Sequence, residues 1–231
     1  TDGLRRMDYA TGSVVHYPHD PADPTSLGDN TVNALLQDRA GRLWVGTDGG
    51  LDLFDRAHNR FVHYRYDPSN PYSLSDDSVL SFCEDRSGVV WVGTNRGLSK
   101  YSWAANRFTL YTQLPAVATA LPEAMAAGTA SPLETSGLQS LSSERVWALL
   151  EDPTGNLWAG MFDGGLNRLD RTAGTLTVYH HDPADPNSLS SDTVREIYED
   201  RSGTLWVSTD GGLTQFELGS GTFLKDWGLG S

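Results

Sequence analysis

Two clusters of aspartates invite a metal reading: Asp20, Asp23 and Asp29, and then Asp182, Asp185 and Asp192. A calcium loop alternates its oxygen ligands and closes on a bidentate glutamate, and neither cluster keeps that order. Both clusters fall in or just after a phrase that recurs: "HDPADPTSL" at 19–27, "YDPSNPYSL" at 66–74 and "HDPADPNSL" at 181–189. Its prolines stiffen the chain and hold the residue before each one extended. Its Asp and Ser side chains bond local backbone. Structural turns are therefore expected here, and no metal or other cofactor. The histidines His16, His19, His63, His180 and His181 sit at one repeated place, so a shared metal is not expected from them either.

Nucleophiles and acids read the same way. Cys83 lies in "VLSFCED", an alternating apolar run, and is expected to be a small buried hydrophobe. No nucleophile-elbow, zinc-protease, Cys-x-x-Cys or phosphate-loop phrase occurs. Most aspartates fall at repeated turn positions, which leaves few single-copy carboxylates for paired acid–base work. No catalytic residue is expected.

Binding chemistry has better candidates. After a framework Val come Asn33, Leu80, Trp147 and Arg195, with Arg145 just before Val146. These residue types differ from copy to copy where the surrounding phrase is constant. Trp suits the face of a sugar ring and Arg suits a carboxylate. The alternative is that these side chains only fill or solvate a channel.

The elements that must position them come from a repeat. Trp44, Trp91, Trp158 and Trp206 stand 47, 67 and 48 residues apart. The long interval is one period plus an Ala-rich insertion at 113–139, in which "LPEAMAAG" predicts a short helix. Each period reads as four short strands rich in β-branched and aromatic residues, for example "TVNALLQD", "RLWVGT", "GLDLFD" and "RFVHYR". Asp38/Gly41, Asp85/Gly88, Asp152/Gly155 and Asp200/Gly203 mark one hairpin turn, with Gly at positive φ. A Trp and a Gly two residues apart share a strand face, which suits sheets packed closely.

A four-stranded unit of this length is a propeller blade. The expected fold is an all-β propeller of four-stranded antiparallel blades. It has a partial blade at 1–29 and blades at 30–76, 77–143, 144–191 and 192–231. That makes 18 strands, two more than four whole blades need. The expectation is a piece of a larger propeller whose unfinished faces associate.

The phrase V-x-x-[LFI]-x-[EQ]-D-x-x-G-x-[LV]-W-[VA]-[GS] occurs in four copies, and three of them run on into T-[DN]-x-G-L. It resembles the two-component regulator propeller family. The resemblance implies seven-bladed rings in a periplasmic sensor region. These precede a membrane helix and a cytoplasmic histidine kinase or diguanylate cyclase, and in some members the ligand is an oligosaccharide. The partners it implies are the remaining blades of a parent receptor, or a second copy, and an oligosaccharide. The formal net charge of −13 argues against nucleic acid and an anionic membrane surface, and no run of apolar residues is long enough to insert in a bilayer. Ligand sensing is the first reading. A protein-interaction scaffold is the alternative, with a propeller lyase or glycosidase behind it.

Overall fold

The computed structural model describes residues 2–111 and 141–228. The insertion at 113–139, with its expected helix, lies outside the described residues. Strands β1 (Leu4–Met7) and β2 (Val14–Tyr17) form a two-stranded sheet. Blade I follows with β3 (Val32–Gln37), β4 (Leu43–Thr47), β5 (Gly50–Asp55) and β6 (Arg60–Tyr64). Blade II has β7 (Val79–Glu84), β8 (Val90–Thr94), β9 (Gly97–Ser102) and β10 (Arg107–Tyr111). Blade III has β11 (Val146–Glu151), β12 (Leu157–Met161), β13 (Leu166–Asp170) and β14 (Thr175–Tyr179). Blade IV has β15 (Val194–Glu199), β16 (Leu205–Thr209), β17 (Gly212–Glu217) and β18 (Thr222–Gly228). All pairings are antiparallel meanders, and the 18 strands are those the sequence pattern predicts. The described residues contain no helix, and so none that could cross a membrane.

The first hairpin of each blade is fixed by its aspartate. Asp38 accepts the amide of Arg42 at 2.9 Å, and Gly41 takes φ 80° to close the turn. The second carboxylate oxygen accepts the indole N–H of the Trp six residues on. Trp44 donates to Asp38 at 3.0 Å, Trp91 to Asp85 at 2.9 Å, Trp158 to Asp152 at 2.8 Å and Trp206 to Asp200 at 2.8 Å. One side chain thus shapes the turn and satisfies a buried indole.

The core lies at the seams between blades. Trp44 and Leu51 of blade I pack with Val79, Val90, Tyr101 and Phe108 of blade II. Trp91 and Leu98 pack with Val146 and Leu149 of blade III, and Trp158 and Leu166 with Val194 and Ile197 of blade IV. Tyr17 closes on Phe54 and Phe61 in the same manner. A buried Trp removes ~150–250 Å² from water, roughly 4–6 kcal/mol at each seam. The small residue after each Trp sets the approach: a Cβ on Gly46 would stand 2.7 Å from Cγ1 of Val79, and one on Gly160 would stand 2.5 Å from Cγ1 of Val194.

Polar rungs lie outside these apolar seams. The amide of Arg39 donates to Glu84 at 2.8 Å, and that of Arg86 to Glu151 at 2.7 Å. Arg171 of blade III reaches back to Asp85 of blade II and to its own Glu151. At the third seam Pro153 holds the place of Arg39 and Arg86 and has no N–H to give.

Candidate functional site

Each first strand carries a register shift at the same place. The shifts fall between Val32 and Ala34, Val79 and Ser81, Val146 and Ala148, and Val194 and Glu196. The skipped residues are Asn33, Leu80, Trp147 and Arg195. Such a bulge leaves one residue out of the ladder and re-aims its side chain. It also explains the V-x-x-[LFI] spacing. On a regular strand Val79 and Phe82 would point to opposite faces. With one residue extruded between them, both reach the position a Cβ on Gly46 would occupy. The framework that packs the seam therefore forces the variable residue outward.

In blades I, III and IV a second position, 15 residues on in the turn between the second and third strands, meets the bulge residue. Asn33 Nδ2 donates to Asp48 at 2.8 Å and to the carbonyl of Val79 at 3.1 Å. Ser78 Oγ also donates to Asp48, so blades I and II are tied by polar contacts at this end. In blade III the pair is aromatic: the rings of Trp147 and Phe162 lie 4.7 Å apart. In blade IV it is ionic: Arg195 donates to both oxygens of Asp210. The hydrogen bonds and charge of Asp210 raise the Arg195 pKa, and Arg195 in turn lowers that of Asp210.

The blade III and IV pairs join. The guanidinium of Arg195 stands 4.4 Å above the Trp147 ring, and that of Arg145 stands 5.0 Å from the Phe162 ring. The result is a strip running Arg145, Phe162, Trp147, Arg195, Asp210. The structure thus brings together Arg145, Trp147 and Arg195. Asn33 is held in the polar tie between blades I and II, and Leu80 is half-buried with no such partner given to it by the strip. The sequence reading passed over Phe162 and Asp210. The signal was present: the other three copies have Asp48, Asn95 and Asp210 where blade III has Phe162.

Other candidate chemistry is absorbed by the frame. Asp20, Asp23 and Asp29 accept the amides of Ala22, Thr25 and Thr31, and Asp182, Asp185 and Asp192 those of Ala184, Asn187 and His181. His19 and His181 bond the carbonyls of Leu27 and Leu189. No group of three metal-ligating side chains forms among the described residues. Cys83 is half-buried, and burial pushes its thiol up to about 11, away from thiolate chemistry. Burial would raise Asp85, but bonds from Ser87, Trp91 and Val89 and the charge of Arg171 outweigh it and hold the carboxyl down to about 2. A general acid needs the opposite shift. Burial raises the pKa of Asp52. It is bonded to His63 at 2.6 Å and to the amide of Gly28 at 2.8 Å, beneath the spacer loop.

The family repeat described as "Two component regulator propeller" matches residues 26–49, 73–96, 140–163 and 188–211. Each match spans one bulge and reaches the turn that meets it. The chain carries four copies of the two-component regulator propeller repeat. No curated protein sequence is similar to it. Among solved structures it is similar to the extracellular domain of the hybrid two component system BT3049 from B. thetaiotaomicron, at 24% identity and TM-score 0.74. That match covers 96% of this chain and 27% of the other. It is also similar to the extracellular domain of the one component system BT4673 of the same organism, at 19% identity and TM-score 0.71, over 93% of this chain and 24% of that one. The chain thus spans about a quarter of either structure. Virginiamycin B lyase from Staphylococcus aureus shares the fold at 15% identity and TM-score 0.55, over 84% of this chain and 54% of the lyase.

Proposed function

We propose that this chain is a ligand-sensing module in the extracytoplasmic part of a two-component or cyclic-di-nucleotide receptor, and that its ligand is an oligosaccharide held at the bulge end of the blades. The four matches to the two-component regulator propeller repeat support the sensor role. The names of the two extracellular domains support the location. One observation carries the binding site: the four bulges extrude the residues that vary from copy to copy, and two of the four form a continuous aromatic and guanidinium strip. Sugar rings stack on aromatic faces, and planar guanidinium groups bond hydroxyl and carboxylate oxygens in pairs.

Binding without turnover is the favoured activity. The repeated aspartates are engaged as turn and indole acceptors, and Asp85 and Asp200 are held down to about 2, where they neither donate a proton nor hold one near neutrality. The likeness to virginiamycin B lyase is one of fold, and fold alone carries no chemistry.

The test is a glycan array followed by calorimetry on Trp147→Ala. Trp147 is half-buried and belongs to none of the apolar seam clusters, so the variant is expected to keep the parent melting temperature within about 2 °C. Its affinity for any bound oligosaccharide is expected to fall by at least about tenfold, in line with loss of one aromatic platform. Equal affinities in parent and variant, or steady consumption of the glycan, would overturn the proposal.

A further inference from the structure

The turn between the second and third strands obeys a rule that blade II breaks. The residue before its last glycine is Gly49, Gly164 and Gly211 in blades I, III and IV, where the turn of blade III is one residue longer, and Arg96 in blade II. The three glycines have a steric cause. A Cβ at Gly49 would stand 2.6 Å from the carbonyl oxygen of Gly28, and one at Gly164 would stand 2.6 Å from Cβ of Ser143. One at Gly211 would collide with the carbonyl of Ser190. The incoming spacer thus crowds this turn in blades I, III and IV. Blade II carries the exposed Arg96 there.

Arg96 lines a surface cavity of about 700 Å³ together with Asn95, Ser143, Arg145 and Phe162. This cavity opens beside the Arg145 end of the aromatic strip. Arg195, at the strip's other end, is already matched by Asp210. Among the described residues neither Arg96 nor Arg145 has a carboxylate within ion-pair distance, although Asp76, Glu144 and Asp163 also border the cavity. Asp76 is turned to the amide of Ser78, and Asp163 to the hydroxyl of Thr193. At this cavity, among the described residues, that leaves two guanidinium groups and one carboxylate, Glu144, without an ion-pair partner, a local excess of positive charge in a chain of net charge −13.

The geometry points to a carboxylate-bearing saccharide as the ligand class, with Arg96 and Arg145 on the acid group and Phe162 and Trp147 under the ring. Planar guanidinium groups bind carboxylates through two parallel N–H donors. An uncharged sugar would leave both cations without a counter-charge. This inference rests on the saccharide-binding reading above and adds the charge of the ligand and one residue, Arg96.

The experiment uses the whole chain and a panel of uronic-acid oligosaccharides, each beside its carboxyl-reduced, neutral counterpart. Two variants are compared with the parent by calorimetry: Arg96→Gln, and Arg96→Gly, which gives blade II the residue of the other three turns. Both retain the fold, because Arg96 is exposed and makes no seam contact. The parent is expected to bind acidic members and to lose them on reduction. Each variant is expected to bind the acidic members roughly ten- to a hundredfold more weakly, the worth of one charge-assisted contact. Binding of neutral members in preference to acidic ones, or acidic binding unchanged in both variants, would overturn this inference and leave the saccharide reading standing. Binding of no glycan in either form would overturn both.

Discussion

The tightest contact between blades makes the sharpest test of the seam. A methyl group added at Gly160 would lie 2.5 Å from Cγ1 of Val194, 3.0 Å from its Cβ and 3.2 Å from Cβ of Ala148. Carbon atoms are at ease about 3.5–4.0 Å apart, so the overlap with Val194 is about 1 Å. Val194 cannot turn away easily, because branching at Cβ restricts its rotamers. Gly160→Ala should therefore cost about 1–3 kcal/mol as overpacking, a fall of roughly 2–12 °C in melting temperature for a chain of this size. Val194→Ala removes two methyl groups, about 0.8 kcal/mol each plus a cavity term, or about 2 kcal/mol. Independent effects would sum to about 3–5 kcal/mol. In the double variant, however, the new methyl enters the space the valine leaves. The pair is expected to cost at least about 1 kcal/mol less than that sum. Urea unfolding followed by tryptophan fluorescence reads this from midpoints at equal slope. Gly219→Ala, where a Cβ meets nothing within 4 Å, serves as a control and should stay within about 0.5 kcal/mol. Additive single effects would refute the packing argument.

Two further outcomes follow from single positions. Asp52 has its pKa raised by burial, so the fold favours its protonated form. That contribution is complete below the ordinary carboxylate value of 3.8 and is lost as pH rises through the folded value. Asp52→Asn, which copies Asn167 of blade III, should therefore gain melting temperature over the parent at pH 7 and lose that gain near pH 3; a constant difference across that range would refute it. The outer face of blade IV, with Trp206 half-buried, Tyr198 60% exposed and Ser208 in the place of the seam glycine, should take a second copy's β3, where Leu35 is 54% exposed. Light scattering should find weak concentration-dependent association that Ser208→Gly strengthens, and two strict monomers would refute it.

The fold was legible because the repeat writes it four times. A Trp and an Asp six residues before it identify the second strand and its hairpin in each copy, with a Gly two after the Trp in three copies and Ser208 in the fourth. The sequence named Asp as a turn former but not as the acceptor for the indole, since a six-residue separation says nothing of contact until the hairpin is closed. The bulge was written in V-x-x-[LFI], a spacing of three in a strand of period two. A spacing of three also fits a strand that ends or bends there, so the pattern by itself does not specify a bulge. The meeting of Trp147 with Arg195 crosses a seam, and of Trp147 with Phe162 crosses a hairpin. Pairing of that kind depends on register, which side-chain types alone do not set. The insertion at 113–139 has no copy to compare with, and its expected helix lies outside the described residues.

One constraint links the frame to the site. The apolar pair of each first strand must face the preceding blade across a residue that cannot join the ladder. Packing thus fixes where that residue points and places no demand on what it is. Asn33, Leu80, Trp147 and Arg195 are as different as four side chains can be, yet Val32, Val79, Val146 and Val194 before them are identical. The same separation holds at the turn, where Asp48, Asn95, Phe162 and Asp210 vary while the seam glycines beside them are held by sterics. Arg96 belongs to this argument as its exception. It stands where a Cβ would crowd the spacer in the other three blades, although the spacer of blade II is tied to its turn through Ser75 and Thr94 as that of blade IV is through Ser190 and Thr209. Its exposed side chain lines the cavity beside Arg145, so the one copy that departs from the rule departs at the candidate site.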